Sequence, residues 1–261
     1  FILKPPTDFS DSERRLLLKF PEISVQNVIS GKFMKDFESY TLDQFPLRDG
    51  FRTVKALVST KLFMKQDNND IYVKDGYAAA VEYPLKSDSI QNAANRLNSI
   101  IDKYTTYKNK IYLSIIPDKN YFLSETSGRL SLDYSELVSQ LSNQVKADKY
   151  IDIFGDLRLE NYYKTDTHWR QEKLDKVVKE MSNKLKFNYE DETYEECIYD
   201  KFYGVYYGES AINRKPEKIV YLTNELLTSV TVKYLENDKL NKIYNESKLS
   251  GMDSYDVYLD G

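Results

Sequence analysis

Residues 161–170 read NYYKTDTHWR and bring together His168, the only histidine of the 261-residue chain, Trp169, its only tryptophan, and a carboxylate two positions upstream, Asp166. An imidazole is the natural base for a hydroxyl nucleophile: the hydroxyl is weak at its own pKa, and imidazole titrates near neutrality. Such a base needs an orienting carboxylate. Asp166 can reach Nδ1 across a tight loop, fix the tautomer and stabilise the imidazolium formed when the proton arrives. Trp169 would then keep water from the ring and shape a pocket. A plainer use of the same residues has Asp166 or Thr165 capping a following helix while His168 and Trp169 pack on a sheet. Asp-x-His alone does not separate the two uses.

Lys119, in IIPDKNYF, follows an apolar run and could meet an anionic sugar or an oxyanion; its plainer use is a solvated turn lysine beside Asp118. A serine nucleophile is harder to find. Ser254, in Asp253-Ser254-Tyr255, and Ser210, in Gly208-Glu209-Ser210, lack the strand-turn-helix context in which a nucleophilic serine is presented. One histidine and the lone Cys197 make no metal cluster, so no metal and no cofactor is expected. Charges nearly cancel, 37 basic against 41 acidic, and are interspersed, which excludes the basic stripe of a nucleic-acid binder.

The elements that must position these residues follow from periodicity. Phe33, Phe37, Thr41 and Phe45 recur every four residues and stop at Pro46, and a second helical pattern runs through Phe51, Val54, Leu57, Val58 and Leu62. The aromatic stripe reads as core packing of a lead-in helix. From residue 70 strand and helix alternate. IYV at 71–73 precedes an Asp75-Gly76 turn, Ile90, Ala94, Leu97, Ile101 and Tyr104 mark a helix capped by Ser87 or Asp88, and KIYLSIIP at 110–117 reads as a buried strand. DYSELVSQLSNQV, YIDIF and HWRQEKLDKVVKEMSNKL continue as helix, strand and helix. Such alternation predicts parallel βαβ units in a doubly wound sheet, with the TDTH loop and Pro117-Asp118-Lys119 at the same carboxyl edge. Beyond Lys186, Tyr- and Val-rich runs (CIYDKFYGVYYGES, KIVYLTN, SVTVKYLE) read as strands or hairpins, and SYDVYLDG as a strand reaching a turn. The expected organisation is a helical lead-in over 1–69 packed on the core, an α/β core over 70–186 and a β-rich insertion over 187–261.

SGKFMKDFESYTLDQFPLRD, YYKTDTHW and SIIPDKNYF together resemble the DHHW-type secreted proteins of bacteria, relatives of the SGNH-hydrolase-like domains of alginate O-acetyltransferases. DTHW stands here where the eponymous motif has DHHW, as in the acetyltransferase branch. The resemblance implies an SGNH-hydrolase-like, flavodoxin-like three-layer α/β fold in which Asp166 and His168 match the acid and base of a Ser-His-Asp triad. It implies a serine later in the chain, in a Gly-Asp-Ser or Asp-Ser-aromatic turn that follows a core strand; the 261 residues contain no Gly-Asp-Ser and no Asp-Ser after such a strand, so the core is expected to be completed beyond Gly261. It further implies O-acetyl esterase or O-acetyltransferase chemistry on a cell-surface or secreted glycan, an acetylated polysaccharide as partner, and a membrane-bound acyl-transfer partner. The competing expectation is a non-catalytic glycan-binding or assembly protein that keeps the fold. The chain begins at Phe1 without an initiator, which suggests a removed signal or anchor and, with the resemblance, an extracytoplasmic location.

Overall fold

The computed structural model describes residues 5–10, 12–190, 192–211, 215–234 and 238–258. Strand β1 (Phe9–Ser10) pairs antiparallel with β2 (Arg15–Leu16), and three helices follow: α1 (Val25–Ile29), α2 (Lys32–Asp43) and α3 (Arg48–Leu57). A hairpin, β3 (Ile71–Lys74) and β4 (Tyr77–Ala80), leads into α4 (Ser87–Tyr104), β5 (Tyr112–Leu113), α5 (Lys119–Ser127), α6 (Tyr134–Gln144), β6 (Lys149–Tyr150) and α7 (Asp175–Leu185). The remainder comprises β7 (Glu195–Phe202), α8 (Val205–Ser210), β8 (Glu217–Thr223), α9 (Glu225–Ser229), β9 (Thr231–Lys233) and β10 (Leu240–Lys242).

The chain is therefore α/β, and it divides into two compact units. One comprises Tyr72–Cys197 with Val220–Leu222; the other comprises Phe1–Ile71, Ile198–Ile219 and Thr223–Gly261. Sequence texture separated a lead-in from a C-terminal insertion, whereas contacts group those two ends into one unit. Strands β5 and β6 pair parallel, in the register Tyr112 to Lys149 and Leu113 to Tyr150, as a two-stranded sheet. The ladder is short because regular pairing gives way after Leu113. Ser114 Oγ donates to Ile151 O at 2.9 Å, and Pro117 has no N–H to contribute. No helix among the described residues is long and apolar enough to cross a membrane.

Within the first unit, the core gathers behind β5 and β6, where Ile151, Ile153, Leu157, Tyr162 and Val177 are buried together. Helix α4 turns Ile90 and Ala94 inward and packs against α6, as its apolar spacing requires. Its cap is Lys86, without a side-chain cap bond, and neither Ser87 nor Asp88 fills that position. Helix α7 starts at Asp175, well after His168, because the backbones of Tyr162 and Trp169 form an antiparallel bridge that holds the intervening chain in a closed loop.

Within the second unit, the long motif at 30–50 forms a helix, a break and a polar clamp. Asp43, 8% exposed, accepts from Arg15 Nη1 and Nη2 at 2.9 and 2.6 Å and from Leu18 N at 2.9 Å. Gln44 accepts from Thr7 N at 2.9 Å and donates to Thr7 O at 2.9 Å and to Leu18 O at 3.2 Å. Arg48 pairs with Glu13 at 2.5 Å. Phe33 and Phe37 stack on each other and meet Phe20 edge-on, while Phe45 stays 42% exposed beside Phe51. The stripe is thus a half-buried aromatic cluster, with Phe45 at its edge.

The Arg15 guanidinium holds the Asp43 carboxyl below its ordinary value, against the opposing effect of burial. A depressed folded pKa means stability that is present above the unfolded value of about 3.9 and lost as pH falls through the folded one. Asp43→Asn is expected to cost about 1–3 kcal/mol at neutral pH, since it weakens the bidentate pair and unbalances a buried cluster. Thermal melts at neutral pH and below pH ~4 check this. The variant should lose less stability on acidification than the parent.

Candidate active site

The loop that carries the candidate base is closed at its root by backbone bonds. Tyr163 N donates to His168 O at 3.1 Å and Arg170 N to Asn161 O at 2.7 Å. The four residues between Tyr163 and His168 are forced into a tight turn, which buries Thr165 and Asp166 and presents His168 outward. The Asp166 side chain is 0% exposed and the His168 side chain 48%.

His168 Nδ1 lies 2.6 Å from Asp166 Oδ1, and the same oxygen accepts from His168 N at 3.0 Å. One carboxylate oxygen thus holds both the ring and the backbone of the base. An acceptor against Nδ1 requires the proton on Nδ1, so the neutral ring carries its lone pair on Nε2. Such an imidazole can accept a proton at Nε2 while the buried carboxylate stabilises the resulting cation. Asp166 therefore serves the histidine, and the following helix is capped at Leu174 without a side-chain cap bond.

Trp169 is partly buried and packs against the Ile151, Leu157 and Tyr162 cluster while its backbone bridges Tyr162. It braces the loop from beneath. Lys119 is 2% exposed, and its ammonium donates to Tyr163 O at 2.9 Å and Lys164 O at 3.2 Å. The structure thus brings Asp166, His168, Trp169 and Lys119 to one loop. Lys119 is neither the solvated turn lysine nor the open ligand contact that its sequence position suggested.

The turn before Lys119 is equally tied down. Tyr162 Oη donates to Pro117 O at 2.5 Å, and Asp118 caps α5 by accepting from Asn120 N at 2.6 Å while also accepting from Tyr134 Oη at 2.8 Å. Burial pushes the Asp118 carboxyl above the usual carboxylate range, against the lowering effect of the Tyr134 hydroxyl. Burial likewise raises the Tyr134 and Tyr162 hydroxyls, so both stay protonated donors at any working pH. Asn120 joins Tyr72 Oη, which donates to it at 2.6 Å, and Leu130 O, to which it donates at 3.0 Å. The sequence places Asp118 only as a turn neighbour of Lys119 and does not single out Asn120, Tyr134 or Tyr162. The available signal was an Asp at a helix start with Gly128 closing its other end at φ 66°.

Neither candidate nucleophile is presented on a strand-to-helix turn. Ser210 is 2% exposed at the end of α8, and its hydroxyl is 3.4 Å from Tyr207 O. Ser254 opens a 3-10 turn, and its hydroxyl donates to Leu249 O at 2.8 Å. Both belong to the unit that does not carry His168. Among the described residues no group of three or more His, Cys, Asp or Glu side chains could hold a metal ion.

No protein-family model and no curated protein matches the chain. Solved structures do. A DHHW family protein from Eubacterium siraeum DSM 15702 superposes with a TM-score of 0.57 at 16% identity, covering 75% of this chain and 69% of its own. Bacillus cereus PatB1 gives 0.52 at 18% identity, covering 72% and 71%, and PatB1 with a sulfonyl adduct gives 0.51 at 18%, covering 73% and 71%. At such identities the likeness is one of fold, and it is the fold of a DHHW family protein and of PatB1 that this chain shares.

Proposed function

We propose that the protein performs acyl transfer through a Ser-His-Asp arrangement, with His168 as general base, Asp166 as its orienting carboxylate and a serine outside the 261 residues as nucleophile. The observation that carries this reading is the 2.6 Å contact between His168 Nδ1 and a wholly buried Asp166 carboxylate, with the ring half exposed. In the first step the serine Oγ bonds to the ester carbonyl carbon as its proton passes to Nε2, giving a tetrahedral oxyanion. Collapse breaks the bond to the leaving oxygen, which takes the proton from the imidazolium. Water or an acceptor hydroxyl then repeats the sequence on the acyl-serine. The β5–β6 pair is proposed as part of an SGNH-like doubly wound sheet, at whose carboxyl edge such a site belongs.

Fold likeness to a DHHW family protein and to PatB1 supports this lineage, and the sulfonyl adduct seen with PatB1 suits a fold that hosts an activated nucleophile. Within it we assign O-acetyl esterase or O-acetyltransferase activity on a cell-surface or secreted glycan, outside the cytoplasmic membrane, with a membrane-bound acyl-transfer partner for the transferase form.

A sulfonyl fluoride and 4-nitrophenyl acetate test the assignment on the 261-residue chain and on the full gene product. The shorter chain is expected to stay unlabelled and inert. The full product should hydrolyse the ester, and peptide mass spectrometry should place the label on a serine after position 261. Labelling of Ser210 or Ser254 would move the nucleophile inside the chain. A full product that binds an acetylated glycan yet neither labels nor turns over would make the protein a glycan binder.

A further inference from the structure

At the first helical position of α5 the chain carries a lysine, and the fold buries it. Two effects oppose that placement. A helix N-terminus bears partial positive charge, which disfavours a cation there. An ammonium withdrawn from water is also unfavourable unless other oxygens replace its hydration. Any exposed polar residue would start the helix as well, since Asp118 already supplies the cap.

What the burial achieves lies at the far end of the side chain. Nζ reaches Tyr163 O and Lys164 O, carbonyls 44 and 45 positions away in sequence, through charge-assisted hydrogen bonds. Tyr163 also donates its own N–H to His168 O, and Lys164 O accepts a further bond from Ala78 N at 2.7 Å. Both peptides immediately precede the turn of Thr165 and Asp166. Their orientation sets the direction in which the carboxylate leaves the backbone, and in a hydrogen bond as short as the one to Nδ1 small changes of direction matter.

We propose that Lys119 is a positioning residue for the Asp166–His168 pair: its buried ammonium fixes the carbonyls of residues 163 and 164, so that the turn after them delivers the Asp166 carboxylate to His168 Nδ1. The catalytic consequence rests on the acyl-transfer reading above; the geometric one does not. Losing the ammonium leaves two inward carbonyls without their shared donor, and the root of the loop adjusts to find others. Asp166 then no longer holds Nδ1, and the ring samples both tautomers.

Because His168 is the only histidine, 15N spectra of the ring report one site without assignment. Above the imidazole titration range the unmodified chain is expected to show a protonated Nδ1 and an unprotonated Nε2. Lys119→Met, one atom shorter and without the donor, should shift both signals towards the averaged values of a tautomer mixture, and Asp166→Asn should also abolish the original pattern. Near-ultraviolet circular dichroism, dominated by the single Trp169 and the tyrosines, checks that the unit is folded. Should the methionine variant unfold, Lys119→Gln, whose uncharged amide nitrogen stops one bond short of the place of Nζ, carries the same test. A folded Met or Gln variant with unchanged ring signals overturns the proposal, as does unfolding of both, which would make Lys119 a general fold element. In the full gene product Lys119→Met should lower kcat about 10²-fold with KM unchanged, the scale of a catalytic group displaced by about 1 Å. If no form turns over an ester, the acyl reading fails and the ring spectra alone decide.

Discussion

His168→Gln in the full gene product is expected to lower kcat for an activated acetyl ester by about 10⁶-fold, the loss found when the base of a Ser-His-Asp triad is removed. Glutamine can occupy the loop and accept a hydrogen bond, but it cannot carry a proton from nucleophile to leaving group. The side chain is half exposed and the glutamine amide can donate to buried Asp166 in place of Nδ1, so the exchange should leave the melting temperature nearly unchanged. That separation is the test. An activity loss of this size without a stability loss assigns the proton transfer to His168, whereas a variant that keeps a tenth or more of the parental rate removes His168 from the chemistry. The substrate should matter little to the ratio, because proton transfer is common to every ester the site accepts.

How much of this could be read from sequence depended on how far each partner lies along the chain. The Asp166–His168 pair was readable because its members stand two residues apart, and a tight loop is all that is needed to join them. Helices α2, α4 and α6 were readable for a similar reason: their apolar spacing is local. Where the decisive contact is remote, the reading slipped. Val177, Val178, Met181 and Leu185 fall within α7, but the segment read as its helix begins at His168 and Leu174 only caps it, since nothing in that stretch announces the bridge between Tyr162 and Trp169. Lys119 looked like a turn lysine because the carbonyls it serves lie more than forty positions away.

The C-terminal region slipped through propensity. VYYGES has the tyrosine and valine content of a strand, yet Val205–Ser210 is helical. Tertiary context decides it. A Cβ at position 208 would stand 1.9 Å from Ser12 O, so the helix needs glycine there to approach that backbone. The clamp of Asp43, Gln44 and Arg48 escaped notice in the same way, as polar ends of an apolar motif whose partners lie 25 to 37 positions upstream.

Asp166→Asn should lower kcat by about 10⁴-fold, and it is the more discriminating of the two substitutions because shape and volume are nearly conserved. In the parent one carboxylate oxygen accepts from both the backbone and Nδ1 of His168. If the asparagine amide takes the place of that shared oxygen, the His168 backbone N–H loses its acceptor, Nδ1 becomes an acceptor and the proton moves to Nε2. The base would then present a hydrogen where it needs a lone pair. The imidazolium formed during reaction would also lose the anion that stabilises it, so the two effects act together on one step. Asp166→Ala separates them, because it removes the anion without imposing the wrong tautomer. It should lower kcat less than the asparagine form while lowering the melting temperature more, having left a void in place of a wholly buried side chain and taken away the acceptor of the His168 N–H. Rates and melts on the three proteins decide the matter. If Asp166→Asn keeps kcat within tenfold of the parent, the carboxylate is a loop support and His168 acts without an orienting acid.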